Sequence, residues 1–294
     1  MQAKLATLRT LEWLAGLARR LGLSPIVDRV APVVSRPFEH FMLDVDGVRL
    51  GGTNLAQLHY VRELREHGRE QTFVRLLAEV IPAGAVVVEG GAHLGFVTVH
   101  EARAVGPDGR VFVFEPNVEV LGVLRENLQL NGIGDRVEIV PKALGDSTGR
   151  ARFFVRADES SLYEPTSDFD PVEVDVVRAD ELIAGPVDVV KLDVEGAELA
   201  ALRGMEGFLN GAQPPRALFL ECNPVLLARA GSSPDELVAW LHARSYDVEW
   251  IDEANGRAVS IPPAFPGWRS AIRSSRATLP ARFPVMRRSA ACGW

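Results

Sequence analysis

Cysteine is nearly absent: the 294 residues contain only Cys222 and Cys292. Two thiols cannot form a disulfide framework, which points to a reducing compartment, the cytoplasm. Long apolar runs are missing too. The opening stretch AKLATLRTLEWLAGLARRLGL is broken by Arg9, Glu12, Arg19 and Arg20, so it has neither a secretory signal's unbroken centre nor a membrane span's length. There is no surplus of positive charge. The formal net charge is −7, which argues against a dedicated nucleic-acid binder. What is present is ordinary globular composition, 47% hydrophobic and 24% charged, enough to bury one large core.

Leu5, Leu8, Trp13, Leu14, Leu17 and Leu21 recur at helical spacing, predicting an amphipathic helix that packs on the domain or on a second copy of the chain. Residues 1–80 otherwise read as a helical addition with one extended piece near VDGVRLGG, turning at Asp46-Gly47. From Ala85 the texture changes. VVVEGG, RVFVFE, RVEIV, VDVVKLD and RALFLE are buried-strand patterns separated by helical ones, the rhythm of a parallel sheet with crossover helices. ARFFV and VEVDVV flank a polar stretch and read as a hairpin-like excursion. This α/β domain is expected over residues 81–253. Residues 254–294 form a proline-rich segment with seven arginines and no acid, an irregular cover or tail.

The first strand ends in Glu89-Gly90-Gly91-Ala92-His93-Leu94-Gly95. Glycines there let the backbone turn sharply and approach a ligand at a helix start. The second strand ends in Glu115, where a carboxylate can accept from both hydroxyls of a ribose. Gly90, Ala92 and Gly95 also satisfy a relaxed dinucleotide pattern, so the spacing alone leaves a nicotinamide cofactor open. Together the turn and the acid point to a nucleoside-containing cofactor.

The blocks VVVEGGAHLGFVTV, VFVFEPN, LRENLQLNGI, VPKALGD, DVVKLDVEGAELAALRG and LFLECNP occur in that order, and through them the sequence resembles the FkbM family of methyltransferases. The resemblance spans about Val86 to Pro224. It implies a Rossmann-like class I methyltransferase fold, a seven-stranded mostly parallel sheet with helices on both faces, and S-adenosylmethionine as donor. It places Glu89, Gly91, His93 and Gly95 at the methionyl part, Glu115 with Pro116 at the ribose, and Ala143 and Asp146 at the adenine, with Asp193 facing the same cleft. Two departures stand out: Glu89 and His93 occupy positions where the family carries Asp and Asn. His93 then has two readings, a base or methionyl donor, or a hydrogen-bonded helix-start residue.

Methyl transfer to a hydroxyl needs alignment and a destination for the proton. Asp193 and Glu195 stand at one strand end, Glu221 and Asn223 at the next. Asp193, Glu221 and Asn223 make an oxygen-rich candidate Mg2+ site, with Glu195 as base; alternatively Glu195 and Glu198 only cap the helix start. Asp193, Glu195 and His93 are therefore the candidate catalytic residues. The expected reaction is O-methylation of a small molecule, a sugar, polyketide or other specialised metabolite. A nitrogen acceptor and a non-catalytic cofactor-binding subunit are the alternatives. Ser160-Ser161-Leu162-Tyr163 reads either as a lid or acceptor wall or as a plain surface loop, and Trp268 with the arginines after it either as a hold for an anionic acceptor or as a solvated tail. His40, His59 and His67 read as surface or core residues, and Asn117 and Asn131 as loop and helix-end residues.

Overall fold

The protein is described by a computed structural model covering residues 40–68, 70–155, 160–161, 171–252, 255–260 and 284–288, with isolated helical positions between 10 and 20. In chain order the elements are β1 (Phe41–Val45), β2 (Val48–Gly52), α1 (Leu55–His67), α2 (Gln71–Val80), β3 (Val86–Gly90), α3 (Phe96–Val105), β4 (Arg110–Phe114), α4 (Val118–Leu130), β5 (Val137–Val140), β6 (Ala143–Leu144), β7 (Gly149–Val155) and β8 (Ser160–Ser161). There follow β9 (Val172–Val177), α5 (Ala179–Leu182), β10 (Val189–Leu192), α6 (Glu198–Arg203), α7 (Glu206–Leu209), β11 (Ala217–Leu220), α8 (Pro224–Arg229), α9 (Pro234–His242), β12 (Tyr246–Asp252), β13 (Arg257–Ser260) and β14 (Pro284–Arg288).

The main sheet has eight strands in the order β13-β12-β14-β11-β10-β3-β4-β5. The five from β11 to β5 run parallel; β14 is antiparallel to both β11 and β12. The expected count of seven is exceeded because β13 folds back on β12 as an additional edge. Strands β13 and β14 also lie beyond residue 253, so the arginine-rich segment contributes to the sheet rather than merely following it.

Alternation along the strands sorts side chains into two cores. Val87, Val189 and Phe219 face one cluster with α3 and α4; Val88, Val190 and Leu220 face the other with α6 to α9. The segment before β3 belongs to the first cluster and is not purely helical: β1 and β2 form a hairpin through Asp46-Gly47, both with positive φ, the geometry a two-residue hairpin turn favours. Leu43, Leu50, Val61 and Phe73 pack into that cluster, Phe73 meeting Phe219 edge-on at 5.6 Å. Asn127 ties hairpin to sheet: its Oδ1 accepts from Gly51 N (2.7 Å) while its Nδ2 donates to the Leu94 carbonyl (2.9 Å). Asn131, at the end of α4, accepts from Arg49 N at 3.0 Å and donates to the Arg49 carbonyl.

Strands β7 and β9 pair antiparallel in a smaller sheet. Within the described part of the amino-terminal stripe, Trp13, Leu14 and Leu17 are helical and exposed; Leu5, Leu8 and Leu21 lie outside the described residues. No helix among the described residues is long and apolar enough to cross a membrane.

Candidate functional site

The carboxyl ends of β3, β4, β10 and β11 converge on one edge of the parallel sheet, where ligands of such sheets bind. After β3 the chain turns at Gly91, whose φ is +75°. A Cβ there would overlap the Asp193 carbonyl oxygen, so only glycine lets the β3 and β10 turns approach this closely. Asp193 N in turn donates to the Gly90 carbonyl at 3.0 Å. His93 also has a positive φ of 50°, a conformation that Asn and His tolerate better than most residues. Gly95 begins α3 in the left-handed region.

Glu115 braces this turn. Its Oε2 accepts from Ala92 N (3.2 Å) and His93 N (3.0 Å), and its Oε1 from Asn117 N (2.9 Å). Burial pushes the Glu115 carboxyl up, against the lowering pull of those three N–H groups. Pro116 and the His93 ring are half-buried, and the ring meets Tyr60 of α1 edge-on at 4.7 Å.

Beneath the turn lies a fully buried ionic group that sequence reasoning missed. Pairing of β10 with β3 sets Lys191 beside Glu89. Lys191 Nζ lies 3.4 Å from Glu89 Oε1 and 3.9 Å from Asp193 Oδ2 and donates to the Gly91 carbonyl. Burial alone would lower its pKa; the carboxylates of Glu89, Asp193 and Glu101 reverse that and raise it. Glu89 Oε2 accepts from the Thr98 hydroxyl at 2.6 Å. Glu101, on α3, is pushed well up by burial first and by Glu89 second. Glu89 has no exposed surface: it supports the turn from below rather than lining the cleft. The hint in the sequence was a lysine inside the otherwise apolar strand VVKL.

Across the cleft, Asp193, Glu195 and Glu221 each bring a carboxylate oxygen within 4.8 Å of the others. Glu195 adopts φ 52°, backbone strain of a kind that clusters at functional sites. Burial, then Glu195, Asp193 and Glu198, push the Glu221 carboxyl well up, and once protonated it donates to Asp193. Glu198 is the capping residue: its Oε1 accepts from Val194 N and Gly196 N, each at 3.2 Å, and burial raises it to about 7. Asn223, expected beside the acids, has its side-chain oxygen engaged elsewhere. Its Oδ1 accepts from Val225 N and Leu226 N, capping α8 ahead of Pro224, which removes it from the proposed ligand set.

Of the residues expected at the adenine, Ala143 packs with Phe153 and Val174 in the small sheet, and Asp146 is exposed and accepts from Ser147 Oγ at 3.1 Å. Ser160 and Ser161 pair with β7; Leu162, Tyr163 and Trp268 lie outside the described residues. His40, His59 and His67 are exposed.

A model of the Methyltransferase FkbM domain matches residues 89–248, more than half of the chain and all of the strand ends above. The chain belongs to the FkbM methyltransferase family. Among curated relatives, an arginine N(omega)-methyltransferase of Streptomyces achromogenes subsp. streptozoticus is 23% identical over 218 residues, 74% of this chain and 50% of the relative. A catechol O-methyltransferase of Mycobacterium tuberculosis is 38% identical over 91 residues, 31% of this chain and 40% of the relative. The hexuronic acid methyltransferase AglP of Haloferax volcanii is 29% identical over 165 residues, 53% and 64% of the two chains. The FkbM chain thus spans 40–64% of the length of these relatives.

Proposed function

We propose that this FkbM-family chain is an S-adenosylmethionine-dependent methyltransferase that methylates a hydroxyl of a small molecule. One observation carries the reading: a left-handed glycine turn at the carboxyl edge of a parallel sheet, with its N–H groups bonded to the acid ending the next strand. The residues fit a nucleoside cofactor. Glu115 keeps acceptor capacity beyond its three backbone bonds, since a carboxylate offers about four lone-pair sites, and those sites suit a ribose diol. The half-buried Gly91, His93 and Pro116 provide a rim along which an extended ligand can lie.

Bound here, S-adenosylmethionine supplies a methyl already activated as a sulfonium, so the chain's own residues have to hold, orient and move one proton. Glu115 holds the ribose; the Gly91–Gly95 turn and His93 bound the methionyl side. Lys191, paired with Glu89, fixes the Gly91 carbonyl and so keeps the turn in register with Asp193. Asp193 and Glu195, half-buried at the next strand end, are the acceptors for the hydroxyl proton. The relatives named for catechol and hexuronic acid methylation favour oxygen as the acceptor atom. A nitrogen acceptor draws on the arginine methyltransferase relative and on the affinity of a carboxylate cluster for a cation.

Calorimetric titration with S-adenosylmethionine and S-adenosylhomocysteine, with NADH as control, tests the donor. Saturable one-site binding of the first two is expected, followed by product formation in a screen of hydroxylated acceptors. Tight NADH binding without the other two would overturn the reading.

A further inference from the structure

The acid trio at the ends of β10 and β11 is more than a solvated edge. Asp193, Glu195 and Glu221 come from two adjacent strand ends, and one oxygen of each lies within 4.8 Å of the others. Glu221 is only 6% exposed, and its Oε2 has no hydrogen-bond partner. Glu198, 1% exposed and three residues beyond Glu195, also has an orphaned Oε2. Buried carboxylate oxygens without donors are costly, and natural structures rarely leave them so without an ion or water. Lys191 reaches Asp193 only at 3.9 Å and is shared with Glu89 and the Gly91 carbonyl, so it cannot neutralise this side of the cleft.

We propose that Asp193, Glu195 and Glu221 form a divalent-cation site of the Mg2+ or Mn2+ class that receives a chelating oxygen acceptor. The donor set is three carboxylate oxygens, hard ligands for a hard cation. With a bond of roughly 2.1 Å, opposite ligands of octahedral Mg2+ sit about 4.2 Å apart and adjacent ones about 3.0 Å, so the trio has to draw in by up to about 1.8 Å, a shift within reach of side-chain rotation. An octahedral ion held by three protein oxygens has three positions left, enough for water and for two adjacent oxygens of one acceptor. The acceptor class this selects is a vicinal diol or an α-hydroxy carbonyl, whose bound hydroxyl would lose its proton more readily, to the carboxylate oxygen that Asp193 or Glu195 does not give to the cation. Asn223 is excluded by its capping role; Glu195 takes its place.

The acceptor class rests on the methyl-transfer reading, whereas the cation site is testable without it. The chelator-treated full-length chain is titrated with MnCl2 alone, read by calorimetry and by loss of the free Mn2+ paramagnetic resonance signal. One saturable site is expected, competed by MgCl2. Glu195→Gln and Glu221→Gln should each weaken Mn2+ by more than about 100-fold, beyond the roughly 10–100-fold lost when an outer partner of a metal is removed. Both variants relieve like-charge crowding, so they should melt no lower than the wild type without metal. The distant exposed acid variant Glu79→Gln should bind Mn2+ like wild type. No saturable Mn2+ binding, or equal binding by Glu195→Gln, overturns the site. Saturable binding of L-arginine that is lost in Glu195→Gln, without Mn2+ binding, overturns it in favour of a cationic acceptor. A separate titration with S-adenosylhomocysteine keeps the outcomes apart: retained cofactor binding with no Mn2+ binding removes the cation and leaves the methyltransferase reading intact.

Discussion

Replacing Glu115 by Gln separates two roles for one carboxylate. In the structure it accepts three backbone N–H bonds, from Ala92, His93 and Asn117, at 2.9–3.2 Å. The amide keeps one oxygen and turns the other acceptor into a donor, so at least one bond is lost. Leaving a buried N–H without a partner costs roughly 1–3 kcal/mol. Against that, burial already disfavours the ionised form, and the neutral amide escapes that penalty. The two effects oppose each other, leaving a net stability loss of about 1–2 kcal/mol. Cofactor binding has no such offset. A ribose diol that donates to the carboxylate loses at least one charge-assisted bond of about 1.5–3 kcal/mol, a roughly 10- to 150-fold rise in Kd. Calorimetric titration with S-adenosylhomocysteine, alongside urea unfolding, reads both quantities. A Kd within about twofold of wild type, in a variant whose urea midpoint falls as expected, would show that Glu115 only braces the turn.

Gly91→Ala should lose roughly 2–5 kcal/mol, from left-handed strain and overlap with the Asp193 carbonyl, and should bind cofactor weakly. Gly122→Ala, at an exposed position in α4 with open space for a Cβ, should instead gain about 0.5–1 kcal/mol in the same urea assay. Lys191→Met leaves Glu89 buried without its cation and should cost about 3–5 kcal/mol, with partial recovery in the Lys191→Met/Glu89→Gln double variant; a loss below about 1 kcal/mol would mean that the pair is not ionised. Glu198 titrates near 7 in the fold against an ordinary 4.5, so the folded state holds the extra proton between those values and stability falls as pH rises through that window. Relative to Glu198→Gln, the metal-free wild type should lose up to about 3 kcal/mol between pH 4.5 and 8, Asp193 and Glu221 being the acids that face it; parallel pH curves for the two proteins would refute this.

The central strands were legible because buried parallel strands are written as unbroken Val and Leu runs, and the glycine turn because its spacing has few alternatives. Asp46-Gly47 announces its hairpin, although the spacing around it predicts mainly helix. The Lys191–Glu89–Glu101 group was not legible: the partners lie 102 and 12 residues apart in sequence, Lys191 to Glu89 and Glu89 to Glu101, and only strand register and helix docking bring them together. Asn223 was misjudged despite a visible signal, since Asn followed by Pro is the start of a helix whose first N–H groups need a cap. The positive φ of Glu195 has no signature in sequence at all. Strand β14 was missed because PVMRR neither alternates nor runs apolar, and its pairing is supplied by the two edges that receive it.

That last strand has a consequence in time rather than in space. β14 lies between β11 and β12 but is synthesised after both. At about 5–20 residues per second, the ribosome needs on the order of 2–6 seconds to travel from Asp252 to Pro284. Throughout that interval the nascent sheet is split, with β11 on one side and the β12–β13 hairpin on the other, each presenting a row of unpaired backbone groups. Open edges of this kind are templates for another chain, so crowded polysomes are where this fold is most exposed to misassembly, and a stop codon just before residue 284 would make that exposure permanent.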